Sequence, residues 1–228
     1  MDSTVKLAAC LSVALVSSSC CAQSKDYVEI GYGKISIKEL SEIKPTGVAL
    51  SAKKSFEQFY LQGTYIISSD KNSQQNDIAS GVGARIIETK VDTDWKQFTV
   101  LVGHEFQLSE QSWLDLYGGY SRLKLQMDAI AEVEYIINGK YRYRNEVDVS
   151  ANNDADLYHL ELAYAFSVDS FDARAGIGFE RINGEEGESS FVYLAEIGYH
   201  FTDHISANLN YRNADVYNNV GFNLRYSY

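Results

Sequence analysis

Cysteine is all but missing from this 228-residue chain, and its three copies, Cys10, Cys20 and Cys21, crowd near the start. From residue 23 onward no disulfide framework, Cys-ligated zinc or cysteine nucleophile can be built. Such a chain suits passage through an oxidising compartment, where stray thiols would be trapped. Proline occurs once, at Pro45. Basic residues are outnumbered, with 20 Lys and Arg against 31 Asp and Glu, and the net charge of −11 argues against nucleic acid as a partner. Long apolar runs are absent. No stretch approaches the roughly 20 residues of a transmembrane helix, so any membrane span must be made of strands.

The longest apolar run, Leu7 to Val16, follows Lys6 and has the length of the apolar part of a secretory signal. Cys20-Cys21-Ala22 places small residues ahead of a cut, which predicts cleavage after Ala22. Residues 1–22 are then a signal peptide and 23–228 one β domain. Ser17-Ser18-Ser19 makes a poor lipobox, which disfavours a lipoprotein cut before Cys20 or Cys21.

Tyrosine is abundant, with 17 copies. Its ring suits an apolar layer and its hydroxyl suits water, as in the aromatic girdles of membrane barrels. Period-2 alternation then recurs along the chain. It is clearest in the last nine residues, where Val220, Phe222, Leu224, Tyr226 and Tyr228 share one face. Gly221, Asn223, Arg225 and Ser227 share the other. The same rhythm marks Tyr27–Ile37, Gly47–Phe56, Phe59–Ser68, Lys96–Ser109, Trp113–Met127, Leu157–Val168, Phe171–Ile182, Phe191–Phe201, Ile205–Asn213 and Asn218–Tyr228. Most of these segments have the length a tilted strand needs to cross a bilayer. Short turns at Ser55–Gln58, Ser109–Ser112, Asp169-Ser170 and Thr202–His204 alternate with connections at Lys38–Thr46, Ser69–Trp95, Asp128–Asp156, Asn183–Ser190 and Ala214–Tyr217. All but the last of these connections are longer and polar. The expected fold is all-β, a transmembrane antiparallel up-and-down barrel of about ten strands, with eight or twelve as alternatives. Two of the long loops carry alternation of their own, Gly81–Val91 and Ala131–Val149. The second, around Asn138-Gly139, reads as a hairpin ribbon standing above the membrane. If both segments span, the count is twelve.

The opening strand Tyr27-Val28-Glu29-Ile30-Gly31-Tyr32-Gly33, the repeated Gly-aromatic steps and the ending Leu224-Arg225-Tyr226-Ser227-Tyr228 resemble small bacterial outer-membrane β-barrel proteins of the OmpA/OmpX-like type. The resemblance implies the outer membrane as location, its lipid and lipopolysaccharide as surroundings, and the barrel-assembly machinery as a partner. Phe222, Leu224, Tyr226 and Tyr228 would form the assembly signal, although such signals usually end in Phe. Architecture of this kind hosts many activities, so it implies place and fold more than function.

In a membrane barrel the polar face points inward. Glu29, Glu105, Glu161, Arg174, Glu196, Arg212 and Arg225 are then expected in the lumen, joined by His159 and His200. Buried carboxylates need cations beside them, so a salt-bridged plug is the favoured account. A narrow path for small solutes or ions is the alternative.

No catalytic constellation emerges. His204-x-Ser206 has the spacing of a lipid A deacylase pair, but it falls at a periplasmic turn. His104 reads as an interfacial side chain. The four histidines lack metal-ligand spacing. Glu185-Glu186-Gly187-Glu188 and the acids near 148–156 read as solvated loops, without a calcium-loop pattern. The paired Asp and Asp-His sites that a ten-strand omptin-like protease carries above its rim are not found. The expectation is a monomeric barrel without enzyme activity, metal or cofactor, whose acidic loops act in cell-surface interaction or envelope integrity and contact an extracellular ligand. A lipid-modifying enzyme is the least favoured reading.

Overall fold

The computed structural model describes residues 26–38, 40, 42–57, 59–80, 84–137, 140–183 and 187–228. The proposed signal segment, the Asn138-Gly139 turn and Glu185-Glu186 lie outside them. Ten strands follow one another: β1 (Tyr27–Ile37), β2 (Thr46–Phe56), β3 (Phe59–Ser80), β4 (Ala84–Gln107), β5 (Ser112–Ile137), β6 (Lys140–Val168), β7 (Phe171–Asn183), β8 (Glu188–His200), β9 (Ile205–Asn213) and β10 (Tyr217–Ser227). Each is antiparallel to its chain neighbours, and β10 pairs with β1 from Tyr27↔Ser227 to Ile37↔Tyr217, which closes the ring. The result is the expected up-and-down barrel, with ten strands rather than eight or twelve.

Inside and outside follow from the pleat. In β1, Val28, Ile30 and Tyr32 are exposed while Tyr27, Ile35 and Ile37 are buried. The same alternation exposes Tyr158, Leu160, Leu162, Tyr164 and Phe166 on β6 and Phe222, Leu224 and Tyr226 on β10. A water-soluble barrel would bury this face. Here it forms an apolar belt around the outside with aromatic side chains at both margins, the surface a bilayer covers. Cross-strand ring pairs mark the margins, Phe171–Tyr199 at 5.0 Å and Phe179–Phe191 at 4.2 Å between centroids. Tight turns lie at one end. Glu57 and Asp169 adopt positive φ there, +47° and +54°, as two-residue hairpins require.

The two longest connections predicted from sequence are strand over most of their length, and this corrects the reading of Ser69–Trp95 as a polar loop. β3 to β6 run on past the belt as one continuous four-stranded wall. β3 pairs with β4 up to Ser80↔Ala84, β4 with β5 up to Ala84↔Tyr135, and β5 with β6 up to Ile137↔Lys140. The segment 128–156 therefore stands above the membrane as expected, but inside a sheet rather than as a lone ribbon. At this end β1 and β2, β7 and β8, and β9 and β10 end at Ile37 and Thr46, Asn183 and Glu188, and Asn213 and Tyr217, so among the described residues the wall rises on one side only.

Along the wall the pleat continues without a break between Glu88 and Lys96 of β4, across 126–134 of β5 and across 144–156 of β6. The outward face changes character above the belt. It becomes charged, with Asp92, Asp94, Lys96, Arg122, Lys124, Glu146, Asp148 and Asp154 exposed. Lys71–Asp92 (2.9 Å), Arg122–Asp154 (3.0 Å) and Arg144–Glu132 (3.3 Å) pair across strands. On β4 to β6 the lumen-side face becomes apolar or small instead: Thr89, Val91 and Thr93 on β4, Met127, Ala129, Ala131 and Val133 on β5, Val147, Val149 and Ala151 on β6; on β3 it stays polar, with Asp70 beside Thr93 and Asn72 beside Val91. The wall has two open edges, since β2 leaves β3 at Ser69 and β7 leaves β6 at Asp156.

Candidate functional site: the barrel interior

All seven charged residues assigned to the lumen from sequence point into it. They do not form one cluster but a stack of layers, whose pairs join strands one to three places apart in the ring. Near the tight-turn end, Lys53 Nζ on β2 lies 2.5 Å from Glu105 Oε1 on β4 and 4.0 Å from the centre of the Tyr60 ring. His200 on β8 pairs with Asp172 on β7. Arg225 on β10 donates to Glu29 on β1 (2.8 Å) and to Glu196 on β8 (3.2 Å), with its guanidinium 4.2 Å over the Tyr27 ring.

Arg174 on β7 reaches Asp115 on β5 at 2.5 Å, and Tyr60 on β3 donates to the same carboxylate at 2.8 Å. Arg174 also stands over the Tyr117 ring at 4.9 Å. The Tyr117 hydroxyl donates to Glu161 at 2.6 Å, which joins this layer to the next. There Arg212 on β9 bridges Glu161 on β6 and Glu180 on β7, the second at 2.9 Å. Tyr217 donates to Glu180 at 3.0 Å. Glu161 and Glu180 are almost fully buried, at 2% and 1% exposure. Buried carboxylates held this way need their cations, because the low-dielectric interior makes an unpaired charge expensive.

Above the ionic layers the interior turns apolar. Ile35 and Ile37 of β1, Trp95 of β4, Val192 of β8 and Tyr217 of β10 pack with Ala214, and Ile43, Ile66, Leu123 and Leu125 lean on them. Trp95 and Tyr217 meet at 5.7 Å between ring centroids although β4 and β10 lie four places apart around the ring. The contact therefore crosses the lumen. Below it lie cavities of about 200 and 260 Å³ among the charged side chains, and a wider one of about 530 Å³ at the tight-turn mouth. Among the described residues, no group of three or more His, Asp and Glu is placed to hold a metal ion.

Sequence reasoning missed Glu180, Asp115 and the inward tyrosines Tyr27, Tyr60, Tyr117 and Tyr217. Asp115 had a readable signal, being polar between Leu114 and Leu116. The tyrosines had none, because pattern counting assigns Tyr to the apolar face. A serine relay also went unseen. Ser121 Oγ lies 2.6 Å from His159 Nε2, and His159 Nδ1 lies 3.1 Å from Glu180 Oε2. The order of groups matches a nucleophilic triad. Ser121 is completely buried, however, and its hydroxyl also shares a hydrogen bond of 2.7 Å with Thr99. His204 of the His-x-Ser pair is engaged elsewhere, with Nδ1 2.9 Å from the Ser227 carbonyl, while Ser206 is buried. His104 sits in the belt margin, stacked on Phe106 at 4.2 Å and edge-on to Phe59 at 5.0 Å.

No protein-family model and no curated protein matches this chain. Solved structures do. The outer membrane protease OmpT from Escherichia coli overlays with a TM-score of 0.50 at 9% identity, over 93% of this chain and 99% of that one. The translocator domain of the autotransporter NalP from Neisseria meningitidis gives 0.48 at 14% identity, over 100% of this chain and 97% of that one. Ail, the attachment invasion locus protein of Yersinia pestis, gives 0.37 at 15% identity, over 90% and 99%. At such identities an overlay speaks for the fold alone. With the closed ring and its outward apolar belt, the chain has the fold of the bacterial outer-membrane β-barrels.

Proposed function

We propose that this chain is a non-conducting, non-enzymatic outer-membrane barrel whose working part is the wall of β3 to β6, presented outside the cell for surface interaction. The observation that carries this reading is the closed interior beneath a large external sheet. Ion pairs cross the middle of the barrel and leave separate cavities of about 200 and 260 Å³ among them, and the Trp95–Tyr217 cluster spans the wall end. An apolar constriction of that kind also repels water and ions. The complete burial of Ser121 supports the absence of a nucleophile open to substrate. In this reading residues 1–22 are removed on export, the aromatic strand β10 is what the assembly machinery recognises, and the belt meets outer-membrane lipid and lipopolysaccharide. The protein works as a monomer within its own membrane.

Two measurements test the proposal. Purified protein in a planar bilayer is expected to give no steady unitary current. Currents that vanish on changing Arg174 or Glu196 would establish the channel instead. Bacteria expressing a chain with residues 70–93 and 128–150 replaced by short turns, which join the paired positions Ser69↔Asp94 and Met127↔Ala151, are expected to lose adhesion to protein-coated surfaces and to other cells. The shortened barrel keeps its heat-modifiable gel mobility. Equal adhesion by both chains refutes the role of the wall.

A further inference from the structure

The β4 to β6 part of the wall carries an apolar sheet face left partly exposed among the described residues, beside β3, where Asp70 and Asn72 meet Lys44 and Glu42 of the β1–β2 connection. Val91, Met127, Ala131, Val133, Val147 and Val149 lie on the lumen side of β4 to β6, above the rim, and no ionisable residue interrupts them between 89 and 93, 127 and 133, or 145 and 153 on that side. Val147 and Val149 are 43% and 60% exposed. Polarity here is the reverse of a solvated sheet that only needs to stay dissolved. The opposite face has its ion pairs, and the β6 edge bears Arg144, Glu146, Asp148 and Asp154, charges that discourage strand addition. The face, rather than the edge, is the part left to be covered.

Resting on the surface-interaction reading, we infer that the occupant of this face is the same face of a second copy, carried by a facing membrane. A patch without charge offers nothing to select an acidic or basic partner, whereas an isologous contact matches it to itself. The size fits a weak specific contact. Three strands about 4.8 Å apart and about ten residues tall give roughly 14 by 33 Å, so two copies bury on the order of 1,000 Å² in all. Many such contacts between two cells add by multivalency.

Geometry selects the facing membrane. Packed sheets lie about 10 Å apart. A wall that close to the lumen-side face stands directly over the barrel mouth, where a neighbour in the same membrane would have to overlap the barrel below. A copy related by an axis parallel to the membrane lowers its wall into that space from the other side. Opposite the wall, β8, β9 and β10 end at Glu188, Asn213 and Tyr217, level with the mouth, so the described residues there leave the space open. The two sheets then pack as the halves of a sandwich, with strands nearly aligned.

The test uses two populations of bacteria in different colours, each expressing the full chain. Wild-type populations are expected to form mixed clusters. Clustering should strengthen with added salt, because copies of net charge −11 repel each other at long range. Val149→Asp in both populations is expected to reduce clustering by roughly tenfold or more, since like charges then meet in a desolvated contact. Val149→Lys in both should do the same. Mixing Val149→Asp cells with Val149→Lys cells should restore it. Heat-modifiable mobility and surface labelling confirm that each variant is folded and displayed. If wild-type cells do not cluster, or the double-Asp population clusters as well as wild type, or the Asp–Lys mixture fails, the inference is overturned. Loss of adhesion by the wall-shortened chain to other surfaces would still stand apart from that result and uphold the broader reading.

Discussion

Arg212→Met is the sharpest perturbation of the plug. Arg212 is the cation shared by Glu161 and Glu180, whose side chains are 2% and 0% exposed. Methionine fills much of the same volume but takes the guanidinium from both carboxylates, leaving Glu180 with His159 and Glu161 with no cation of its own. Tyr117 and Tyr217 keep their hydrogen bonds to the acids, which softens the loss without neutralising it. Removing one partner of a buried pair costs about 3–5 kcal/mol. With a urea slope of up to about 3 kcal/mol per molar, that is a midpoint about 1–2 M lower. The assay is urea unfolding in lipid bilayers, followed by the fluorescence of Trp95 and Trp113. Adding Glu161→Gln and Glu180→Gln removes both charges while retaining acceptors for Tyr117 and Tyr217, so the triple variant is expected to recover most of the loss. A midpoint unchanged from wild type, or a triple variant as weak as the single one, refutes the account of the interior as charge-compensated packing.

Other consequences concern single features. Gly103→Ala is expected to cost about 1–3 kcal/mol by overpacking, read by the same unfolding assay. A Cβ there would lie 2.2 Å from the Tyr60 ring, displacing the residue that donates to Asp115. Trp95→Ala should cost about 3–5 kcal/mol, because it removes the largest side chain of the cross-lumen cluster. A midpoint matching wild type would show that the cluster does not hold the wall end together. At the other end, the Lys54 ammonium and then the Ser55 amide hold the Asp26 carboxyl below its ordinary value. A depressed carboxylate contributes stability above its unfolded value, near 3.8, that is lost as pH falls through the lower folded value. Asp26→Asn should therefore be less stable than wild type at neutral pH and equal to it in strong acid. A difference that persists in acid refutes the assignment.

The barrel was legible because lipid outside and charge inside impose opposite demands on alternate residues. Val220 to Tyr228 or Leu157 to Val168 can satisfy them only as strands. The wall was harder to read for a physical reason. Above the lipid both faces meet water in the single chain, so Ser69–Trp95 lost the apolar stripe that made other segments obvious. Its alternation survived weakly, in Val91 against Asp92 or Thr93 against Asp94. The interior was half legible. Glu29, Glu161 and Arg212 are polar on an otherwise apolar pattern, but which acid meets which cation depends on strands one to three places apart in the ring. Tyr60 and Tyr117 were hidden by their own amphipathic nature, since a ring that faces lipid and a ring that carries a buried hydroxyl look alike in sequence.

The height at which polarity reverses ties these observations together. On β4, Phe98 faces outward and belongs to the belt, while Lys96, one pleat higher on the same face, belongs to water. On the lumen side Gln97 and Thr99 are polar, while Trp95 and Val91 above them are not. β5 and β6 reverse at the matching level, between Tyr120 and Arg122 and between Tyr158 and Asp156, which the register places side by side as Tyr120↔Tyr158 and Arg122↔Asp156. Lipid alone explains only half of this reversal. Leaving the bilayer accounts for charge on the outward face, because nothing apolar remains there to meet it. It does not account for apolar residues on the inward face, which has left a polar lumen for water and would be expected to stay polar. Covering the mouth explains the lower part of the inner face, where Trp95 and Thr93 are buried. Higher up, Val147 and Val149 stand clear of the mouth cluster and still keep the pattern. Among the described residues, Val147 and Val149 are left 43% and 60% exposed, and they are the part of the inward face that the proposed contact between copies would cover.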